Sequence, residues 1–522
     1  MATRQETPSL WGRAGVGLLF SCLLCGFCAS CSMNVEPGGQ ISDRQALDSY
    51  QDCRQFWTGL YAGMRTLTSG IYVVLSDIQL DDFHAVMDNG NVLMDFYNGN
   101  IFSSTAEVSD VYATHYAQIA QCNYFIDGVT PYTETATFTP AQTDSLLGYM
   151  ADAYLFRAYA YYQLATLFCP SYIHADVTRP ASGLSLVTHY NPNSDNSTYP
   201  GRSTLQETYR LITSDLETAL ALKTRSAVSA GSNYYISDEA IRAMQARVWL
   251  NMGRYDEAAT AALSVIGSGK YPLTPYGDFT NEWRYDEGSE IIWRVQADYS
   301  HQGLSTGRYF MSNTSPGASF IPTNDVVYLY EIGDCRWDAF FAESSVSNTG
   351  GEGKVFRLTK YPGNPDIYGN TAQSGFVNMA KPFRSAELYL IAAEAYNSLG
   401  QYDQARDCLG PLVTARTGAD YFAQSVSPLT GSNLTGFIRN ERRRELIAEG
   451  HRLADLKRWH TGFRRGEAQE CWDFDTQNCE PLLYATNLHL SYAADDYRLC
   501  WPIPAEELDA NPQMKGQQNN GY

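Results

Sequence analysis

A run of four cysteines near the N-terminus has the spacing of a metal-binding motif. Cys22, Cys25, Cys28 and Cys31 recur every third residue, as thiolate ligands of zinc or iron–sulfur clusters do. Three of them, however, lie within or beside an apolar stretch at 14–27 (AGVGLLFSCLLCGF), whose length is typical of the apolar region of an export signal and too short to span a bilayer. We therefore expect export, and not metal binding, to explain these cysteines.

The residues around Cys31 resemble a bacterial lipidation site. The small residues Ala29 and Ser30 precede Cys31, as a lipoprotein signal peptidase requires, although Cys28 stands where an aliphatic residue is usual. The pattern predicts a signal peptide over residues 1–30, lipidation of Cys31 and a mature chain of residues 31–522. No later segment approaches 18 uninterrupted apolar residues, so we expect the mature protein to be anchored to a membrane without spanning it.

Paired carboxylates are the other residues that could do chemistry. Asp77, Asp81 and Asp82 form one group, and Asp495 and Asp496 form another. Such groups serve as acid and nucleophile in glycosidases or as ligands of calcium. Solvated or helix-capping carboxylates are the stronger interpretation of both groups, because nothing in the sequence places two of them on opposite sides of a substrate. A structural calcium ion is the alternative that the sequence leaves open.

Motifs of common enzyme classes are absent from the sequence. It contains no H-E-x-x-H, G-x-S-x-G or G-x-G-x-x-G, and its eight histidines are dispersed. The segment Gly351-Glu-Gly353-Lys354 resembles a phosphate-binding loop, but Asn348 replaces the first glycine and Val355 follows the lysine. We therefore predict a protein that is not an enzyme and has no bound cofactor or catalytic metal.

Composition narrows the class of protein further. The 522 residues include 37 Lys and Arg against 57 Asp and Glu, a formal net charge of −20, which excludes a strongly basic nucleic-acid binder. Apolar residues reach 44% and charged residues only 18%, so the chain can bury a substantial core.

Helical periodicity dominates the segments that must position any site. Apolar residues recur at helical spacing over 110–127, 144–168, 204–222, 238–251, 255–268, 383–399, 402–414 and 434–459. Ser42 or Asp43 is expected to cap an earlier helix that begins near Arg44. These segments predict a mainly α-helical core.

Two of these helix junctions are alike. Gly253 and Gly400 each end a helix, and each is followed two residues later by Tyr-Asp-x-Ala, as in tetratricopeptide helix pairs. Inserts at about 169–203 and 269–382 are rich in Pro, Gly, Ser, Asn and aromatic residues and contain strand-like fragments at 290–295 and 355–360. We predict a tetratricopeptide-like helical scaffold with loop-rich inserts and a few short strands.

A highly charged segment near the C-terminus carries the strongest sequence pattern. Residues 441–459 read ERRRELIAEGHRLADLKRW. On a helix, Glu441, Glu445 and Glu449 share a face with Arg444, at spacings that favour ion pairs. Because the signs alternate and the whole chain is acidic, we interpret the segment as structural bracing.

This segment resembles the C-terminal signature of the SusD/RagB family of Bacteroidota surface lipoproteins. Three further blocks are similar to the family in order and spacing: residues 153–164 (AYLFRAYAYYQL), residues 384–396 (RSAELYLIAAEAY), and the tail with W-P-I-P at 501–504, N-P at 511–512 and N-N-G-Y at 519–522. The resemblance extends from the lipidation site to the last residue.

The resemblance implies a SusD-like fold and a surface-exposed lipoprotein of the outer membrane. It implies capture of a glycan, an oligosaccharide or polysaccharide, and its delivery to a SusC-like TonB-dependent transporter, over which the lipoprotein sits as a lid. It also implies a binding protein without catalytic activity.

No ligand-binding residue can be carried over by motif, because the family's signature blocks are scaffold. Sugars stack an apolar face on aromatic rings and bind carboxylates, amides and arginines through their hydroxyls. On that basis we predict Asp77, Tyr97, Asn98, Trp283 and Tyr309 as ligand-binding residues. The wider set comprises Asp81, Asp82, Phe96, Asn100, Tyr285, Trp293 and Trp337, and Trp293, inside the alternating segment EIIWRV, is expected in the core.

Two other functions remain open at this point. A peptide-capturing, RagB-like import lipoprotein would use a deep cleft with strand edges that pair with an extended backbone. A scaffold that only braces an outer-membrane assembly would expose no aromatic platform. The acidic balance disfavours polyanionic glycans unless a basic patch around Arg202 or Arg308 attracts them.

Overall fold

The computed structural model describes residues 46–193, 195–226, 231–314, 316–348, 351–368, 375–469, 484–485 and 489–522. Residues from Leu47 to Tyr522 form one compact unit. The predicted signal peptide, Cys31 and the predicted start of a helix near Arg44 lie outside the described residues. The first described helix instead begins at Tyr50, where Ser49 and Asp52 form a reciprocal capping box.

The fold is mainly α-helical. Its helices are α1 (Tyr50–Leu67), α2 (Ile71–Gln79), α3 (Met94–Asn98), α4 (Ala106–Glu134), α5 (Pro140–Phe168), α6 (Leu205–Arg225), α7 (Asp238–Asn251), α8 (Tyr255–Ile266), α9 (Phe279–Arg284), α10 (Asn324–Val327), α11 (Cys335–Phe340), α12 (Pro365–Tyr368), α13 (Ser385–Ser398), α14 (Tyr402–Thr417), α15 (Ala419–Tyr421), α16 (Gly431–Leu446), α17 (Arg452–Trp459) and α18 (Ala505–Ala510). Among the described residues, none of these helices has the length and apolar character needed to cross a membrane.

Besides its helices, the fold contains short antiparallel strand pairs. The strands are β1 (Phe83–Ala85), β2 (Ile291–Trp293), β3 (Phe320–Pro322), β4 (Phe341–Asn348), β5 (Gly351–Leu358), β6 (Phe383–Arg384), β7 (Phe463–Arg464) and β8 (Ser491–Tyr492). They pair two by two, as β1 with β3, β2 with β6, β4 with β5 and β7 with β8.

The predicted helix pairs are present. Helices α7 and α8 are joined at Gly253, and α13 and α14 are joined at Gly400, with φ angles of 73° and 74°. These angles lie in the left-handed region that glycine adopts without a steric penalty, so the tight turns follow directly from the sequence. Helix α13 packs against α8, α14 and α16, and thereby links the two pairs in one helical layer.

The prediction of one continuous helix over 434–459 is wrong. The charged C-terminal segment breaks between α16 and α17, where Ala448 and Gly450 have φ angles of 58° and 79°. A Cβ at Gly450 would lie 2.9 Å from the carbonyl oxygen of Val73, so only glycine fits there. The Lys360 ammonium donates to the carbonyls of Glu445 and Ile447, which the break leaves without helical partners.

The glutamates of α16 pair mainly with other elements. Glu445 is buried and accepts hydrogen bonds from Arg336 of α11 at 3.2 Å, Arg384 of β6 at 2.8 Å and Arg416 of α14 at 3.1 Å. Burial alone would raise the pKa of Glu445, but the three guanidinium groups hold that pKa well below its ordinary value. Bracing is therefore confirmed, although the braces run between elements, with Arg444 and Glu441 forming a pair within α16.

We predict that Glu445→Gln strongly destabilises the fold. The substitution removes one negative charge from beside three buried arginines. Breaking a buried ion cluster costs about 3–5 kcal/mol. The free energy of unfolding, measured by denaturant titration, should fall by that amount. Glu217→Gln, at an exposed position of α6, is the matched control and should change it by less than about 0.5 kcal/mol. Equal effects of the two variants would contradict this role of Glu445.

A second prediction concerns the buried His115. Burial lowers the pKa of His115 to about 4 from 6.5, and its Nδ1 contacts the carbonyl of Val111 at 2.7 Å. The histidine therefore takes up a proton near pH 6.5 in the unfolded chain and only near pH 4 in the folded protein. As the pH falls between those values, protonation favours the unfolded chain and the free energy of unfolding decreases. The stability difference between the wild type and His115→Gln should shift by about 2 kcal/mol towards the variant from pH 7 to pH 4.5. Other groups titrate in both proteins and cancel, so a constant difference would refute the prediction.

Candidate ligand-binding surface

The pairing of β1 with β3 brings together the two segments in which ligand-binding residues are predicted. Phe83 pairs with Pro322, His84 with Ile321 and Ala85 with Phe320. The loop at 86–93 leaves β1 where the turn at 312–318 enters β3, and the Val86 N–H donates to the carbonyl of Ser319 at 3.0 Å. Segments more than 200 residues apart in sequence thus form one surface.

The β4–β5 hairpin forms the third side of this surface. The N–H of Ser347 donates to the carbonyl of Pro316 at 3.2 Å, and Arg357 Nη1 donates to the carbonyl of Gly317 at 2.6 Å. A small buried apolar cluster lies beneath the junction and consists of Val86, Ala318, Ile321, Val346 and Val355. We call the loop at 86–93, the turn at 312–318 and the β4–β5 hairpin the loop platform.

Exposed side chains of the loop platform are polar and small. Asp88, Asn91, Asn313 and Thr314 are exposed, and Met87 adds an apolar contact. Asp88 and Asn91 have φ angles of 68° and 59°, a left-handed conformation that costs energy in residues other than glycine and that clusters at functional loops. The run Asp88-Asn-Gly-Asn91 is a turn signal that sequence reasoning passed over in favour of the aromatic residues.

Arg357, on the hairpin, and Trp337, on α11, are the larger candidate binding groups. The Nε of Arg357 is buried and has no hydrogen-bond partner within the described residues, and burial lowers the pKa of this side chain. Across the hairpin, the half-buried Trp337 packs against Phe356 with ring centroids 4.8 Å apart. A guanidinium, amides, hydroxyls and an indole face are the groups with which proteins bind sugars.

The predicted carboxylates lie in the fold and not on the surface. Asp77 is 1% exposed and accepts a hydrogen bond from the Gly450 N–H at 2.9 Å, and burial raises its pKa well above the ordinary value. Asp81 pairs with Arg452 at 2.8 Å and Asp82 with Arg443 at 2.6 Å. The contact predicted for Asp77 is therefore wrong, and arginines occupy the oxygens of Asp81 and Asp82 that calcium would need. No group of three or more His, Cys, Asp or Glu among the described residues could hold a metal.

Three predicted aromatic residues are also buried. Tyr97 is fully buried, with Arg465 over its ring at 4.0 Å, and Tyr309 is 2% exposed. Trp283 is 2% exposed, and Lys360 and Lys381 lie over its ring at 4.3 and 4.7 Å. The prediction that these rings contact ligand directly is wrong, because they fill the core beneath the loops.

Asn98 and Trp293 have different outcomes. Asn98 is half-buried at the end of α3, and its contact with ligand stays a prediction. Trp293 is fully buried, which confirms its assignment to the core. Of the wider set of predicted residues, Trp337 lies beside the loop platform, on α11, where it packs against Phe341 and Phe356 of the hairpin.

Two family profiles and a related protein match the sequence of this chain. A profile of the SusD family matches residues 343–522, and a profile described as "Starch-binding associating with outer membrane" matches residues 39–250. SusD-like protein P38 of Formosa agariphila is 23% identical over 479 residues, which are 82% of this chain and 87% of that protein.

Solved structures agree with the sequence relatives. A SusD superfamily protein from Bacteroides thetaiotaomicron superposes with a TM-score of 0.74 at 25% identity, over 90% of this chain and 99% of that one. A protein described as a putative sugar binding protein, from Bacteroides vulgatus, superposes with a TM-score of 0.72 at 22% identity, over 91% and 99% of the two chains.

The buried aromatic residues predict a contrast in stability. Trp283→Ala should lower the free energy of unfolding by about 3–5 kcal/mol, because it leaves a large cavity beside two buried lysines. Tyr97→Phe should cost only about 1 kcal/mol, since it removes one hydroxyl, 3.3 Å from His84 Nδ1. Thermal or chemical denaturation measures both. A Trp283→Ala variant as stable as the wild type would contradict the core assignment.

Proposed function

The chain belongs to the SusD/RagB family, and from that premise we propose that it is a surface-exposed outer-membrane lipoprotein that captures glycan and delivers it to a SusC-like TonB-dependent transporter. The predicted signal peptide at 1–30 and the lipidation site at Cys31 supply export and anchoring. A relative described as sugar binding, and a matching profile described as starch-binding, support the glycan.

The observation that carries this proposal is the pairing of β1 with β3. It joins the loop at 86–93 with part of the insert at 269–382 in the loop platform, which stands on the helical scaffold. Arg357, Asn91 and Asn313 offer donors and acceptors to sugar hydroxyls, while Trp337 offers an apolar face. An open surface of this kind suits a long polymer that must be bound and then released.

The proposed role is binding without catalysis. A glycosidase requires two carboxyl groups that face a substrate across about 5–10 Å. Asp81 and Asp82 instead pair with arginines below the surface. Asp88 is the exposed carboxylate of the loop at 86–93, and within the described part of the loop platform Glu343 of β4 is the other exposed acid.

We expect Arg357→Ala and Trp337→Ala each to weaken glycan binding at least tenfold. Tyr328→Ala is the matched control, because Tyr328 is 81% exposed and lies on α10's C-terminal side, outside the loop platform. The measurement is a glycan array followed by calorimetry on residues 32–522, with neutral polysaccharides and a peptide pool.

The outcomes separate the alternatives. Saturable glycan binding that both variants weaken and the control leaves unchanged supports capture on the loop platform. Binding of peptides alone would replace the proposal with peptide import. Glycan binding that neither variant affects would move the site away from the loop platform.

A further inference from the structure

A concave surface lies between elements that do not belong to the loop platform. It runs between the first half of α4, the insert residues 185–193 and 195–200, and the C-terminal segment at 504–511, and its volume is about 640 Å³. We call it the insert groove. Its volume falls in the range of about 300–1,000 Å³ that small-molecule sites occupy.

One wall of the insert groove is fixed by buried polar side chains. The Asn123 amide donates to the carbonyl of Val187 at 2.8 Å, and the Tyr161 hydroxyl accepts a hydrogen bond from the Val187 N–H at 2.8 Å. The Tyr190 N–H donates to Asp127 at 2.8 Å. The insert is therefore held against α4 and α5 as a preformed wall, which lowers the entropic cost of binding.

The opposite wall is tied to the insert as well. The Asn511 amide donates to the carbonyl of Pro200 at 3.0 Å, and the Asn196 amide donates to the carbonyl of Ala510 at 3.3 Å. Both hydrogen bonds thus connect the insert with the C-terminal segment. The groove does not depend on a conformational change to exist.

Aromatic rings and prolines form the apolar part of the lining. The half-buried Tyr116 lies against the buried Tyr112, with ring centroids 4.7 Å apart and an interplanar angle of 38°. The apolar lining further includes Leu186, Val187, Tyr199, Pro200 and Pro504. Such surfaces bind the apolar faces of sugar rings.

Polar side chains surround this apolar strip, and those that carry a formal charge are carboxylates. Asn191 and Asn193 offer amides, Glu506 and Glu507 offer carboxylates, and His189 pairs with Asp127 at 3.0 Å. Among the described residues that line the groove, none is lysine or arginine. Arg202, expected as the centre of a basic patch, is buried and donates instead to the carbonyls of Gly183 and Gln517.

We propose that the insert groove is a second carbohydrate site that binds an uncharged oligosaccharide segment. The inference rests on the proposed function, and it adds a site that the loop platform does not include. Aromatic faces, amides and carboxylates match sugar rings and hydroxyls, whereas Glu506 and Glu507 repel uronate and sulfate groups that no lining cation would neutralise. Two separated sites on one protein would hold a long chain at two points and raise its apparent affinity.

The test fills the insert groove without disturbing the core. Ala113 is exposed on α4 and lines the groove, so Ala113→Trp should block it. Ala117→Trp is the matched control, because Ala117 is exposed one turn further along α4 and lies outside the lining. Calorimetry uses the full mature chain with neutral hexasaccharides of glucose, xylose, mannose and galactose, and with a galacturonate hexasaccharide.

We expect two binding events per protein with a neutral hexasaccharide. Ala113→Trp should abolish one, Arg357→Ala should weaken the other, and Ala117→Trp should preserve both. A single event that Arg357→Ala weakens and Ala113→Trp leaves intact would overturn the groove site and keep the proposed function. Galacturonate binding that Ala113→Trp abolishes would overturn the ligand class. Wild-type protein that binds no neutral hexasaccharide would overturn both proposals.

Discussion

One carboxylate, that of Glu445, fixes the relative positions of several elements of the molecule. Arginines from α11, β6 and α14 converge on it, and Arg384 and Arg416 also bind Glu290, beside β2. Because every group in this cluster is buried and charged, each must be matched by a partner at hydrogen-bond distance. The cluster therefore fixes the positions at which the inserts meet the helical scaffold. Apolar packing alone would fix those positions less precisely.

The break between α16 and α17 follows from the same arrangement. Ending α16 at Leu446 frees backbone carbonyls, and the buried Lys360 and Tyr361 bind those of Ile447 and Ala448. Lys360 lies two residues after the end of β5, so a short segment attaches the hairpin of the loop platform to the central ion cluster. The second apolar core, which contains Tyr97, Trp283 and Tyr309, fills the space between this attachment and α2.

The helical scaffold could be predicted from sequence, and the ligand-binding side chains could not. Periodicity, the turns at Gly253 and Gly400 and the charged signature are local patterns, and local patterns fix local structure. Whether Tyr97 faces solvent or the core depends on the pairing of β1 with β3, which involves short strands without a distinctive pattern of their own. The aromatic residues of the inserts were expected on the surface, yet an insert of this size needs a core, and the large rings Trp283 and Tyr309 supply it.

The long sequence separation of β1 and β3 affects the order in which the parts of the protein fold. About 240 residues separate the two strands, so their pairing closes a large loop and contributes to slow, non-local folding. The β4–β5 hairpin and α16 come later still in the chain. A chain that lacks the residues from β3 onwards therefore possesses helices but no loop platform, and the platform can assemble only once the β4–β5 hairpin is present.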